Sequence, residues 1–293
     1  MNYKMNFFTS SLGCSSNWQR MKSKDFSAVE SLLQTVEKDY VSACSRFICG
    51  DFEKDPVWFF REKNENPFLV LLNSRSTIMP VLNGKKEIPQ PSFLKSFLQK
   101  KKIHSVQGPP DEVSVIEKEM EGAGRTVADV FDYDLMDLDT QPYPKTLLSG
   151  PSNLILRVPR MTDLDQMAPL QAGYEKEEVI PKGSVFSPAA SRINLSGIIA
   201  QGQVLAAELT GRLVGKINVS GISFTRYLVG GVYVHPDFRG LGIAQRMTAE
   251  FVSNLVREGR GVTLFVKKSN TPARKLYAGL GFTVTGDYRI TYF

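Results

Sequence analysis

The stretch that most constrains the fold runs His235-Pro236-Asp237-Phe238-Arg239-Gly240-Leu241-Gly242-Ile243-Ala244-Gln245-Arg246-Met247. It follows an apolar, strand-like run from Tyr227 to Val234 and opens an amphipathic helix. In that helix Ile243, Met247, Phe251 and Leu255 recur at helical spacing, and Ala244 and Val252 widen the stripe. A glycine-bearing loop between a strand and a helix aims several backbone N–H groups at one point, at the positive end of the helix dipole. Such a point holds a phosphate or pyrophosphate, and Gly240 and Gly242 present no Cβ to keep a ligand off the backbone.

Several kinds of loop share this outline. A P-loop requires Lys-Ser/Thr after its second glycine, and none stands here. A dinucleotide fingerprint wants Gly or Ala where Gln245 stands. A plain connecting turn remains open on the loop alone. The residues that follow narrow the choice. Gly259 stands where a helix ends, Val262 to Val266 reads as a short buried strand, and the block from Asn270 to Phe282 reads as a second helix. Thr271 is placed to cap that helix, Pro272 suits its first position, and Gly281 can end it.

Arg239, Gly242 and Ala244 resemble the pyrophosphate loop of the GNAT acyltransferases, Gln/Arg-x-x-Gly-x-Gly/Ala. Asn270, Ala273, Tyr277, Gly281 and Phe282 match, position by position, the second signature of that family, Asn-x-x-Ala-x-x-x-Tyr-x-x-x-Gly-Phe. The resemblance covers residues 154–293, where the expected order is β-α-α-β-β-β-α-β-α-β-β. It implies a mixed α/β sheet with splayed central strands and acetyl-CoA or CoA as the cofactor. Backbone groups of Val232, Tyr233 and Val234 would meet the pantetheine arm. The N–H groups around Gly240, Leu241, Gly242, Ile243, Ala244 and Gln245, with Arg239, would hold the pyrophosphate, and Asn270 would touch the cofactor. An amine would attack the thioester directly, with a backbone N–H near Val232 or Val234 meeting the oxyanion and Tyr277 protonating the leaving thiolate. Packing in the core is the competing role for Tyr277.

The general base is not evident. Residues 227–234 hold no carboxylate, a departure from some family members. Glu175, Glu177 and Glu178 follow the first helix of this half and are candidates for the base or for acceptor binding. Glu208 is another, and a water chain is an alternative. Keeping the loop without a base also describes a non-catalytic CoA sensor or interaction protein. A different acyl donor is a further option.

The organisation of the chain fits two domains. Residues 1–24 read as a loosely ordered segment, 25–138 as a smaller α/β domain without a cofactor motif, 139–153 as a linker and 154–293 as the acyltransferase domain. The first domain alternates helix and strand in a manner that suits a degenerate GNAT-like copy. Gly108-Pro109, Glu177-Glu178-Val179 and the Asn270 block further resemble a bacterial subgroup with such a preceding domain. Specific elements expected there are a helix from about Phe26 to Phe47, strands at 67–72 and 77–82, helices at 91–101 and 111–120, and a strand at 127–138.

Charge is unevenly spread. Residues 1–153 hold 19 Lys and Arg against 20 Asp and Glu, and residues 154–293 hold 17 against 10. The excess lies with the anion loop and suits a polyanionic cofactor. The basic residues are scattered with no aromatic-interleaved stripe, which argues against a nucleic-acid partner. No run is long and apolar enough for a membrane helix. Leu12-Gly13-Cys14 is preceded by too short an apolar run for a signal peptide. Cys14, Cys44 and Cys49 show no metal spacing and suit free thiols in a cytoplasmic protein. Only His104 and His235 are present, so no metal site is expected, and His235 reads as structural. The partner expected is a small-molecule or peptide amine, with a homodimer compatible.

Overall fold

Alternating apolar runs and amphipathic helices give two successive sets of elements. The computed structural model of the chain describes residues 17–139, apart from 51, 63, 64, 75 and 86, and residues 150–293. The first set is β1 (Asn17–Arg20), α1 (Phe26–Thr35), α2 (Val41–Cys49), β2 (Val57–Arg61), β3 (Leu69–Ser74), β4 (Thr77–Val81), α3 (Pro91–Lys100), β5 (Ser105–Gly108), α4 (Pro110–Gly122) and β6 (Asp129–Leu138). The second is β7 (Leu154–Arg157), α5 (Leu164–Tyr174), α6 (Pro188–Ala200), β8 (Val204–Leu209), β9 (Arg212–Ile222), β10 (Arg226–Val234), α7 (Ile243–Arg257), β11 (Gly261–Lys267), α8 (Thr271–Gly279) and β12 (Thr283–Tyr292).

Among the described residues, twelve strands form one mixed sheet in the order β1-β2-β3-β4-β5-β12-β6-β11-β10-β9-β8-β7. Exchanging each strand of the first set for its counterpart in the second reproduces this order read backwards. Parallel pairing falls at matching places, β4 with β5 and β10 with β11. The halves are therefore two copies of one arrangement, and each donates a strand to the other. β12 lies between β5 and β6, and β6 lies between β12 and β11.

Helices cover both faces. The apolar stripe of α7, carrying Ile243, Met247, Phe251 and Leu255, packs on Leu205, Ile217, Val229 and Val262. On the opposite face Met167 and Leu170 of α5, with Leu195 and Ile199 of α6, pack on Val204, Leu213 and Tyr233. Each such buried side chain contributes roughly 1.5–3 kcal/mol relative to exposure. Separate clusters gather α3 and α4, and α1 and α2, on β2–β4. Between the halves, buried Arg226 pairs with Asp137 at 2.9 Å and Asp139 at 2.6 Å. Glu37 accepts from the Thr225 N–H and hydroxyl at 2.7 and 2.6 Å.

Several expectations change. Residues 17–20, expected within a loose segment, pair with β2, a strand that the sequence reading does not contain. Residues 1–16, including Cys14, and 140–149 of the expected linker lie outside the described residues. The single helix expected over 26–47 is two, broken at residues 36–40. The Asp139–Asn153 boundary does not separate two sheets, because β6 pairs along its length with β12 and β11. The expected order ends in two strands after α8; only β12 follows it, and β6 stands between it and β11. Asn270, rather than Thr271, caps α8, its side chain accepting from the Ala273 N–H at 3.2 Å. Cys44 and Cys49 are free thiols. No described helix is long and apolar enough to cross a membrane, and no metal-ligand cluster occurs among the described residues.

Candidate active site

The site begins where two parallel strands part. β10 pairs with β11 from Arg226–Gly261 to Val229–Leu264 and no further, and β11 continues along β6 as far as Lys267. Beyond Val229 a wedge therefore opens between β10 and β11. On its other edge β10 carries a bulge against β9. The register passes from Gly230–Asn218 to Tyr233–Lys216, so Gly231 and Val232 face the single residue Ile217. Gly231 has φ +63°, the left-handed conformation that glycine adopts in such bulges. Beyond the bulge, the His235 N–H donates to the Val214 carbonyl of β9 at 2.8 Å. Strand alternation then turns the Val234 N–H to the opposite edge, toward the wedge.

The loop from Arg239 to Ala244 closes the wide end of the wedge. Gly240 and Gly242 have φ +79° and +75°, and Gly242 is the residue before α7. A side chain at either position would be strained, and a Cβ on Gly240 would stand in open space. The first N–H groups of α7 face this space without intrahelical partners. Arg239 is held by its Nε–H to the Val234 carbonyl at 3.0 Å, and its guanidinium lies 5.2 Å from the Tyr233 ring centre. Leu241 is exposed and Ile243 is buried beneath the loop.

A short π-helical turn, Glu175–Val179, prolongs α5 across the wedge. Glu177 accepts from Arg239 at 2.9 and 3.0 Å and from the Tyr233 hydroxyl at 3.0 Å. Glu178 accepts from Asn270 Nδ2 at 3.1 Å and lies 3.6 Å from Lys267 Nζ. The sequence-selected residues Glu177, Glu178, Tyr233, Arg239 and Asn270 thus converge on one cleft. Burial, with Glu177 beside it, pushes the Tyr233 phenol above its ordinary range. Tyr277 on α8 is buried, its ring edge-on to Phe282 at 6.0 Å. Burial raises its phenol pKa, with Tyr174 and Glu178 adding to the effect. The phenol is protonated at neutral pH, as an ordinary phenol is, and the shift makes it a weaker acid.

Two other candidate carboxylates are held by neighbouring side chains. Glu208 accepts from Arg157 Nε at 2.7 Å at the β7–β8 edge, where Arg157 also pairs with Asp163. Glu175 accepts from Gln171 Nε2 at 2.7 Å. His235 accepts from the Asp237 N–H at 3.4 Å, a local turn contact. Sequence reasoning missed Lys216, Asn218 and Tyr174, which gather beneath the bulge. The signal was a Lys and an Asn two residues apart on one face of an otherwise apolar strand.

The matching place in the first half is already filled. After β4 the Leu82 and Gly84 N–H groups donate to the Glu112 carboxylate of α4 at 2.7 and 2.9 Å, and the Tyr40 hydroxyl donates to it as well.

The acetyltransferase (GNAT) family pattern matches residues 174–282, the span that holds the wedge, the loop and α8. This stretch of the chain is similar to the GNAT acetyltransferases. A similar curated protein is N-alpha-acetyltransferase 20 of Dictyostelium discoideum, 38% identical over 76 residues, which is 25% of this chain and 43% of that protein. The chain thus matches less than half the length of this relative. Among solved structures, a GCN5-related N-acetyltransferase from Sphaerobacter thermophilus is similar across 94% of both chains, with 19% identity and a TM-score of 0.63. A tandem GNAT protein from the clavulanic acid biosynthesis pathway is similar over 94% of this chain and 97% of its own, with 12% identity and a TM-score of 0.56. These structures show the fold over both halves, and the GNAT pattern covers the second.

Proposed function

We propose that the chain is an acyl-CoA-dependent N-acyltransferase moving an acetyl group from acetyl-CoA to a primary amine by direct attack. One observation carries this reading: the β10–β11 wedge ends on the Arg239–Ala244 loop at the N-terminus of α7. A thioester and its pyrophosphate-bearing arm match that shape, and the bound cofactor would supply an activated acyl carbon. The N–H groups of residues 240–245 would hold the pyrophosphate, with Arg239 reoriented from Glu177. Val232, Tyr233 and Val234 would line the arm through their backbone, and Asn270 would flank it. Tyr277, its phenol protonated, would deliver a proton to the departing sulfur. Glu177 and Glu178 stand at the cleft as groups for the acceptor amine. The wedge's match to this chemistry, the GNAT pattern over it and the acetyltransferase names among the relatives support the proposal.

Thermal shift and calorimetry with acetyl-CoA, longer acyl-CoAs and CoA test the cofactor. Saturable stabilisation is expected, and none from any of them would overturn the reading. Thiol release across a panel of amines tests turnover; binding without release from any amine would leave a CoA-binding sensor instead.

A further inference from the structure

Lys216 on β9 is completely buried, an unusual place for an ammonium group. Its Nζ donates to Asn218 Oδ1 at 2.8 Å and to the Gly231 carbonyl at 3.0 Å. Asn218 is itself anchored, its Nδ2 donating to the Val219 carbonyl at 3.1 Å. The Tyr174 ring centre lies 5.1 Å from Nζ. The Gly231 carbonyl is thus held by a buried side chain.

That grip falls where the strand ladder supplies none. Gly231 and Val232 are the bulged residues, so β9 offers them no register partner. The peptide joining them is planar and trans, so its C=O and N–H point in opposite directions. Alternation back from His235 turns the Val232 N–H, like that of Val234, away from β9, and Lys216 holds the carbonyl on the other side of the same peptide.

We propose that Lys216 is a positioning residue for acyl transfer: by holding the Gly231 carbonyl it aims the Val232 N–H at the oxyanion that develops on the thioester carbonyl. A cation on the carbonyl also polarises the peptide and strengthens its N–H as a donor. As the amine nitrogen bonds to the acyl carbon, the carbonyl electrons move onto oxygen and meet this N–H. They return as the C–S bond breaks, the nitrogen giving up a proton to water and the sulfur taking one. Burial lowers the Lys216 pKa to about 7, against the pull of Glu175. The proposal rests on the β10–β11 wedge being the acyl site.

The test compares the full-length protein with Lys216→Met, reading the infrared band of an isotope-labelled thioester carbonyl in bound acetyl-CoA. In the native protein the band should lie below that of free acetyl-CoA. In the variant it should return toward the free value, with kcat down about tenfold to a hundredfold and KM and CoA affinity within about threefold. Loss of one oxyanion donor has this signature, which a merely structural lysine would not give. If Lys216→Met fails to fold, Asn218→Ala removes the Nζ anchor and should shift the band in the same direction. An unchanged band and kcat in a folded variant would overturn the proposal, as would a loss of CoA affinity matching the loss of rate. No acetyl-CoA binding by the native protein would instead overturn the acyl-CoA reading itself.

Discussion

Gly231→Ala should destabilise the protein more than a glycine change usually does, and the amount follows from the geometry. At φ +63° any side chain strains the backbone, at roughly 1–2 kcal/mol. The new Cβ would also collide with Asn218 Oδ1 and fall 2.6 Å from Lys216 Nζ. Neither atom can retreat, because both are buried and hydrogen-bonded to each other. Their bond must break, which for a charged group costs about 1.5–3 kcal/mol. The total is about 3–5 kcal/mol, or a fall in Tm on the order of 10 °C. Gly211→Ala is the control. Gly211 has φ +78°, but a Cβ there would meet nothing within 4 Å, so it should lose only the backbone part, roughly 1–2 kcal/mol. Thermal and urea unfolding of both variants measure the difference. Equal losses would show that the bulge is not tightly filled and would refute the geometry beneath it.

Four further outcomes are expected. Gly242→Glu places a negative side chain at a left-handed position beside the anion loop, and should remove CoA binding in calorimetry while circular dichroism stays native. Tyr277→Phe should lower kcat by ~10²–10⁴-fold with little change in cofactor affinity; unchanged turnover would exclude the acid role. Glu177→Gln should tighten CoA about twofold to fivefold by freeing Arg239 and removing a carboxylate from the cleft. The gain is small because this exposed ion pair is worth only ~0–1 kcal/mol, and a weaker Kd would contradict it. Asp163 is held at about 2, below its ordinary 3.8, chiefly by its hydrogen bonds from Arg157. A carboxylate with a depressed folded pKa contributes stability above its unfolded pKa and loses it as pH falls through the folded one. The stability advantage over Asp163→Asn, read from urea midpoints, should therefore be full above about pH 4 and shrink toward about pH 2.

What could be read from the sequence were features written in neighbouring residues. The Arg239–Ala244 loop, the stripe of α7, the buried strand at Val262 to Val266 and the helix after Asn270 are all local, and each stands where expected. The exchange of β6 and β12 was hidden. A strand's periodicity shows which face is buried but not which strand lies beside it, and these partners are far apart in the chain. The break at residues 36–40 escaped because the apolar spacing continues through Val36 and Tyr40. At the site, the carboxylates of Glu177 and Glu178 were legible as a cluster, but their partners come from β10, α8 and the loop. Lys216 stood out only as a polar residue in an apolar strand, and its meaning depends on a bulge in the neighbouring strand.

The exchanged strands also govern how the chain can be made. β6 is synthesised long before β11 and β12, yet it has these two as its neighbours in the sheet. As the ribosome releases the first half, β5 and β6 each present a bare edge with no partner, the kind of edge that recruits strands from other molecules. Neither half can close its sheet until residues 283–292 have emerged. The two copies therefore mature together, and a fragment cut at the linker carries open edges on both sides of the cut.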